Sequence, residues 1–145
     1  MFDHVGLVVR DLKTSARLYA RMLAPLGIRI AEKHRLAPDS GWVVLSRGVP
    51  QSPFLVIAEG RPAFWPENAS VSASPIHICL SAPTRSAVDD FHAVALANGA
   101  LDNGAPGVRR PPFYCAFVTD PDGNNIEAGC YLPANGTGHD SDTVC

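Results

Sequence analysis

Residues 3–12 read DHVGLVVRDL, and residues 75–84 read PIHICLSAPT. Each is a short apolar run with one histidine near its start and a polar residue suited to capping a helix near its end. Side chains alternate across a strand, so Val5, Leu7 and Val9 share one face of the first run while His4 and Gly6 share the other. In the second run Ile76, Ile78 and Leu80 oppose His77, Cys79 and Ser81. A third run, NIEAGCY at residues 125–131, sets Ile126 and Ala128 against Asn125, Glu127 and Gly129. In all three the residue able to bind a metal stands off the apolar face.

Working outward from the first run, Asp11 suits a helix N-cap. Leu18, Tyr19, Met22, Leu23 and Leu26 then recur at helical spacing, and Gly27 ends the helix. Strands are predicted over 28–33, 42–47 and Phe54–Glu59, divided by loops that contain Pro38, Gly41, Gly48, Pro50 and Pro53. The order then begins again. A strand over 76–81 leads to Thr84 as the next N-cap and to a helix with Val88, Phe91, Ala95 and Leu96 facing inward, closed by Gly99. A weak strand over 100–102 and strands at Phe113–Thr119 and Asn125–Tyr131 complete the second unit. The expected fold class is α+β: two βαβββ modules, 2–60 and 75–132, forming one domain over 1–132. A Pro-containing linker at 61–74 joins them, and the Gly, Asp and Ser rich stretch 133–145 is expected to fray.

The repeat places His4 and His77 at equivalent positions, the first strand of each module, and Glu127 on the last strand of the second. Any one of them alone is more often an ordinary strand residue with a hydrogen-bond partner. Together, two imidazoles and a carboxylate with open positions are the donor set of a non-haem Fe(II) site or a catalytic zinc, and they also suit Mn or Ni. Asp120, Pro121, Asp122 and Gly123 match a type I turn between the last two strands. A simple register across it puts Ala116 opposite Glu127, with Tyr114 and Val118 on the same face and Phe117 beside Ile126. A bulge at the turn inverts that assignment, and the sequence leaves both registers open.

Composition excludes several classes of function. With 145 residues and a net charge of −2 the chain can bury a core of its own. Its twelve Lys and Arg are scattered, with Arg109 and Arg110 the adjacent pair, so no basic stripe marks a nucleic-acid partner. No apolar run approaches the ~20 residues of a membrane span. The opening MFDHVGLVVRDL carries an acid ahead of its apolar residues and runs straight into the strand pattern, unlike a secretory leader. A cytoplasmic location is the expectation, with Cys79, Cys115, Cys130 and Cys145 as reduced thiols, the first three buried.

The motifs DHVGLVVRDL, IHICL and FVTDPDGNNIEA, taken in order, resemble the vicinal oxygen chelate superfamily, which includes glyoxalase I, extradiol dioxygenases and bleomycin and fosfomycin resistance proteins. The resemblance runs from Phe2 to about Leu132. It implies paired βαβββ modules curled into an open cup that holds one divalent metal ion (Zn, Ni, Mn or Fe(II)), with His4, His77 and Glu127 as ligands. It also implies a small-molecule substrate and a homodimer. The glyoxalase I branch would add an acid on the fourth strand of the first module, where either Glu59 or Ile57 takes the ligand place.

The leading functional expectation is a lyase or isomerase of the glyoxalase type. It would act on a vicinal-oxygen substrate through a metal-stabilised enediolate, with Glu127 catalytic and Glu59 a second proton-transfer base. The alternatives are an Fe(II) extradiol-type dioxygenase and a protein that sequesters a drug or metabolite. Arg109, after the loop 103–107, is a candidate clamp for a substrate anion, set against the equally ordinary reading of a solvated loop arginine. Tyr114 is a second candidate for substrate binding. His34 is read as a surface loop residue, His92 as helix surface near Asp89, and His139 as part of the tail. Trp42, Phe54, Phe64 and Trp65 are read as core or interface.

Overall fold

A computed structural model describes residues 2–37, 40–60 and 76–132. The linker 61–74 and the stretch 133–145, with His139, Phe64 and Trp65, lie outside them. The first module runs β1 (His4–Val8), α1 (Leu12–Met22), a 3-10 turn (Ala24–Leu26), β2 (Arg29–Ala37), β3 (Ser40–Ser46) and β4 (Phe54–Glu59). The second runs β5 (His77–Ser81), α2 (Arg85–Ala97), β6 (Leu101–Arg110), β7 (Phe113–Thr119) and β8 (Asn125–Tyr131).

The caps form as their side chains dictate. Asp11 Oδ1 accepts from the Thr14 amide at 3.0 Å, and Thr84 Oγ1 accepts from the Ala87 amide at 3.1 Å. Gly27 closes the first helical segment in the left-handed conformation (φ 75°), which costs a residue without Cβ nothing.

Each module folds into an open four-stranded mixed sheet, in the orders β1-β4-β3-β2 and β5-β8-β7-β6. The first strand of each module pairs in parallel with its last, so a residue on β5 is a neighbour of one on β8. This pairing brings candidate ligands far apart in sequence onto adjacent strands. Leu7, Ile57, Val43 and Leu45 turn one face of the first sheet toward the core, and Ile126, Ala128, Val118 and Ala116 do so for the second.

Leu18, Tyr19, Met22 and Leu23 on the first helical segment and Val88, Phe91 and Ala95 on α2 are almost wholly buried between these faces. Burial of each large apolar side chain contributes roughly 1.5–3 kcal/mol. Leu96 is not among them, being 38% exposed. The modules of one chain meet through α1 and the 3-10 turn against α2. They also meet where Arg47 donates to the Ser81 carbonyl and where the Tyr19 hydroxyl donates to Asp120 Oδ2 at 2.7 Å.

Three elements depart from the sequence expectation. β2 continues four residues past the predicted end, with register shifts near Ile30 and Arg35. The weak strand over 100–102 is the start of the ten-residue β6, whose register shifts three times so that Asn103 to Gly107 pass along the sheet edge instead of leaving it as a loop. His92 is buried, with Nε2 2.9 Å from Asp102 Oδ1 on β6, so it belongs to the helix–sheet contact and not to the helix surface. That bond, ahead of the Gly104 amide, lowers the pKa of Asp102.

Candidate functional site

His77 is the first residue of β5 and pairs in register with Asn125 of β8, and Glu127 lies two residues further on, on the same face. His77 Nε2 is 3.1 Å from Glu127 Oε2. The carboxylate is nearly buried while half of the imidazole is exposed, so the pair sits at a rim with Glu127 on its inner side. Cys79, also on this face, donates a thiol hydrogen bond to Glu127. Burial, and then the charge of Glu127, push that thiol up to about 12, so it stays protonated as a donor. Asn125 Oδ1 is buried without a hydrogen-bond partner among the described residues.

The hairpin register decides what else faces Glu127. Asp120 to Asn124 form a five-residue connection: the Asp120 amide donates to the Asn124 carbonyl at 2.9 Å and the Gly123 amide to the Asp120 carbonyl at 3.0 Å. Asp120 Oδ1 accepts from the amides of Asp122 and Asn124. Thr119 therefore pairs with Asn125, and Phe117, not Ala116, lies opposite Glu127. This is the inverted register. Phe113, Cys115 and Phe117 share the face of Glu127, whereas Tyr114 turns to the core. There its hydroxyl donates to Asp89 Oδ1 at 2.7 Å and its ring lies 4.4 Å beneath the Arg85 guanidinium. Burial, then the Asp89 bond, raise the Tyr114 pKa. The expectation that Tyr114 lines the substrate pocket is thus replaced by Phe113 and Phe117.

A concave cavity of about 660 Å³ opens over this face, with Glu127, Cys79, Arg109, Phe117, Phe113 and Tyr131 among its lining residues. Its size suits a small molecule. Arg109 reaches it from β6, its guanidinium anchored by a 2.7 Å bond to the Ala105 carbonyl. Phe113 lies against Tyr131, ring centroids 4.8 Å apart, and directly over Gly129, where an added Cβ would overlap the ring. The aromatic wall was invisible in the sequence because its face hangs on one residue of turn length.

In the first module His4 heads β1, half exposed, stacked on Phe54 at 4.8 Å. Its Nδ1 is 2.9 Å from Asp3 Oδ1, which favours the tautomer with a proton on Nδ1 and a lone pair on Nε2, as a metal-binding imidazole requires. His4 lies on the other sheet from His77 and Glu127. Among the described residues no three His, Cys, Asp or Glu gather closely enough to hold a metal ion.

Glu59 ends β4 with Oε2 accepting from the Leu12 amide at 3.3 Å, and Ile57 is fully buried in the core. Neither shares a face with His4, since Phe54, Val56 and Ala58 are the β4 residues paired with His4, Gly6 and Val8. His34 lies on β2, not in a loop, stacked on Trp42 at 4.6 Å. Cys79 is an exposed thiol, Cys115 is a buried thiol, and Cys130 is disulfide-bonded, contrary to the expectation of reduced thiols throughout.

Residues 1–128 match the family model for the Glyoxalase/Bleomycin resistance protein/Dioxygenase superfamily. No curated protein sequence matches the chain. A glyoxalase/bleomycin resistance protein from Albidiferax ferrireducens T118 is 27% identical, with 89% of this chain covering 97% of that one at a TM-score of 0.65. TioX from Micromonospora sp. ML1 shares the fold at 17% identity, 91% and 99% coverage and a TM-score of 0.63. A glyoxalase I variant from Zea mays does so at 18% identity and a TM-score of 0.64, with 88% of this chain spanning 43% of that longer one. The chain belongs to the glyoxalase/bleomycin resistance/dioxygenase superfamily.

Proposed function

We propose that this protein is a metal-dependent lyase or isomerase of the glyoxalase type, acting on a small substrate with two adjacent oxygens. The observation that carries the reading is the 3.1 Å approach of His77 Nε2 to Glu127 Oε2, a carboxylate on the wall of a cavity that Arg109 also lines. His77 and Glu127 would hold the cation with His4 Nε2, and the buried Asn125 Oδ1 beside them is left an acceptor for a bound water. A divalent cation there supplies the positive charge that polarises both substrate oxygens.

The remaining chemistry belongs to side chains of this chain. Glu127, nearly buried and steadied by the Cys79 thiol, is the base placed to move a proton between adjacent substrate carbons. Arg109 holds an anionic group of the substrate, and Phe113, Phe117 and Tyr131 exclude water around it.

His4 and the His77–Glu127 pair sit on separate open sheets, and the modules of one chain meet through helices. The reading therefore includes a homodimer in which His4 of one copy completes the site on the second module of the other. Glu59, engaged at the first turn of α1, takes no part.

One observation favours the alternative of an Fe(II) dioxygenase: no acid on β4 shares the face of His4, which leaves two histidines and one carboxylate as protein ligands. The test is an anaerobic assay of protein loaded in turn with Zn, Ni, Mn and Fe(II), using a thiohemiacetal as substrate. Turnover that disappears in Glu127→Gln supports the lyase or isomerase. In a parallel assay in air, oxygen uptake with a catechol by the Fe(II) form overturns it in favour of the dioxygenase.

A further inference from the structure

Apart from the Glu127 cavity, α1 and the strands β2 and β3 enclose a groove of about 600 Å³. Lys13, Arg17 and Arg21 line it from α1, and Lys33 and Arg35 line it from β2. The protein as a whole carries fewer basic than acidic residues, yet five of its twelve Lys and Arg meet here. Lys13, Arg17 and Arg21 follow one another at four-residue intervals, the like-charge arrangement that destabilises a helix. Lys33 and Arg35 stand on one face of β2, opposite Val43 and Gly41.

The carboxylate that lines the groove, Glu59, is already engaged by the Leu12 amide. Arg17 and Lys33 have no hydrogen bond or ion pair among the described residues. Between the cations the lining is apolar: Leu12, Ala16 and Ile30 pack against the core with part of their surface still open, and Ala20 lies one helical turn from Ala16.

Two cations without a partner among the described residues, Arg17 and Lys33, over an apolar floor are complementary to one chemistry, an anion carried on an apolar body. We propose that this groove is a second small-molecule site, which takes an amphiphilic organic anion with its apolar part on Ala16, Ala20 and Ile30 and its carboxylate or phosphate head at Arg17 and Lys33. The repulsion between cations that weakens the empty groove is relieved when the head group binds. The site is separate from the Glu127 cavity and independent of any metal there.

The test is a titration of 15N-labelled protein with decanoate and with decyl phosphate, each below its micelle concentration, read at the Trp42 indole N–H, since Trp42 also lines the groove. Trp42→Phe assigns that resonance. A saturable shift is expected with one or both amphiphiles, and their relative affinity tells a carboxylate head from a phosphate head. Inorganic phosphate and decanol, each lacking half of the complement, should bind at least tenfold more weakly. Arg17→Ser with Lys33→Ser should weaken the amphiphile at least tenfold without lowering thermal stability, because the double change removes repulsion from exposed positions. Arg109→Ser should leave the titration unchanged. Equal affinity of the double variant, loss of binding in Arg109→Ser instead, or a shift that never saturates overturns the proposal.

Discussion

Val56 occupies in the first module the place that Glu127 occupies in the second. His4 pairs with Phe54 and Val56 follows two residues on; His77 pairs with Asn125 and Glu127 follows two residues on. The repeat thus extends to the site itself, and the first module carries the imidazole with a buried valine at the position of the carboxylate. Val56 is 6% exposed.

Replacing that valine by glutamate therefore puts a carboxylate beside His4. In the absence of metal a charge at this depth is uncompensated, and V56E should lose about 2 kcal/mol or more of stability. Added Zn should return most of it, by more than it stabilises the wild type, since the new carboxylate supplies a fourth ligand. Thermal unfolding with and without Zn measures both. A metal response in V56E no larger than in wild type would show that the His4 face does not reach the metal.

The division of the proposed ligands between sheets gives a mixing experiment. His4→Ala and His77→Ala proteins should each be dimeric and each be empty of metal. Unfolded and refolded together, they should recover metal at about a quarter of all sites, because half of the random dimers are mixed and each mixed dimer has one complete site. A mixture that stays empty while both variants remain dimeric would place all three ligands within one chain. Monomer mass by light scattering at micromolar concentration would remove the dimer altogether.

The fold was legible in the sequence because its signals are local and repeated: alternating apolar residues in three runs, Asp11 and Thr84 as caps, and Gly27 at a helix end. β4, β7 and β8 begin and end where alternation and turn residues place them. What escaped depends on single-residue offsets. One extra residue in the Asp120–Asn124 connection exchanges Tyr114 for Phe113 and Phe117 on the cavity face. The register shifts of β6 hide a ten-residue strand in a segment containing Gly104, Pro106 and Gly107, which read as a loop. Val56 could not be recognised as the counterpart of Glu127 until the pairing of β1 with β4 fixed which residues share the face of His4.

The contact between Tyr19 and Asp120 joins the first helix to the turn that sets the β7–β8 register. Burial, followed by the Asp120 charge, raises the Tyr19 pKa well above its usual value. The folded state therefore favours the neutral phenol. Its contribution is fully present below the pKa of about 10 for an exposed tyrosine, and is lost as pH rises toward the folded-state value. Wild type should thus lose stability above about pH 10. Tyr19→Phe should be about 1–3 kcal/mol less stable at neutral pH, where Asp120 Oδ2 keeps only its Asn124 Nδ2 bond, and should show a shallower alkaline loss. Urea unfolding at pH 7 and pH 10.5 tests both; parallel slopes for the two proteins would contradict the assignment.

Arg109 is the cation of the Glu127 cavity, and it is held there by its bond to the Ala105 carbonyl on the irregular β6 edge. An arginine fixed at one end keeps N–H donors for a planar anion, and a charge-assisted hydrogen bond is worth about twice a neutral one. Arg109→Gln retains length and polarity while removing the charge, so it should raise KM for a substrate bearing a carboxylate by about tenfold or more, the equivalent of ~1.4 kcal/mol. With a neutral substrate of the same shape KM should change little, and kcat should change less than KM in both cases, since the proposed function has Arg109 bind and Glu127 move the proton. Metal content should match that of the wild type, because Arg109 contributes no ligand. A fall in kcat with KM unchanged would move Arg109 from substrate binding to the chemical step, and equal losses with charged and neutral substrates would reduce it to a support for the β6 edge.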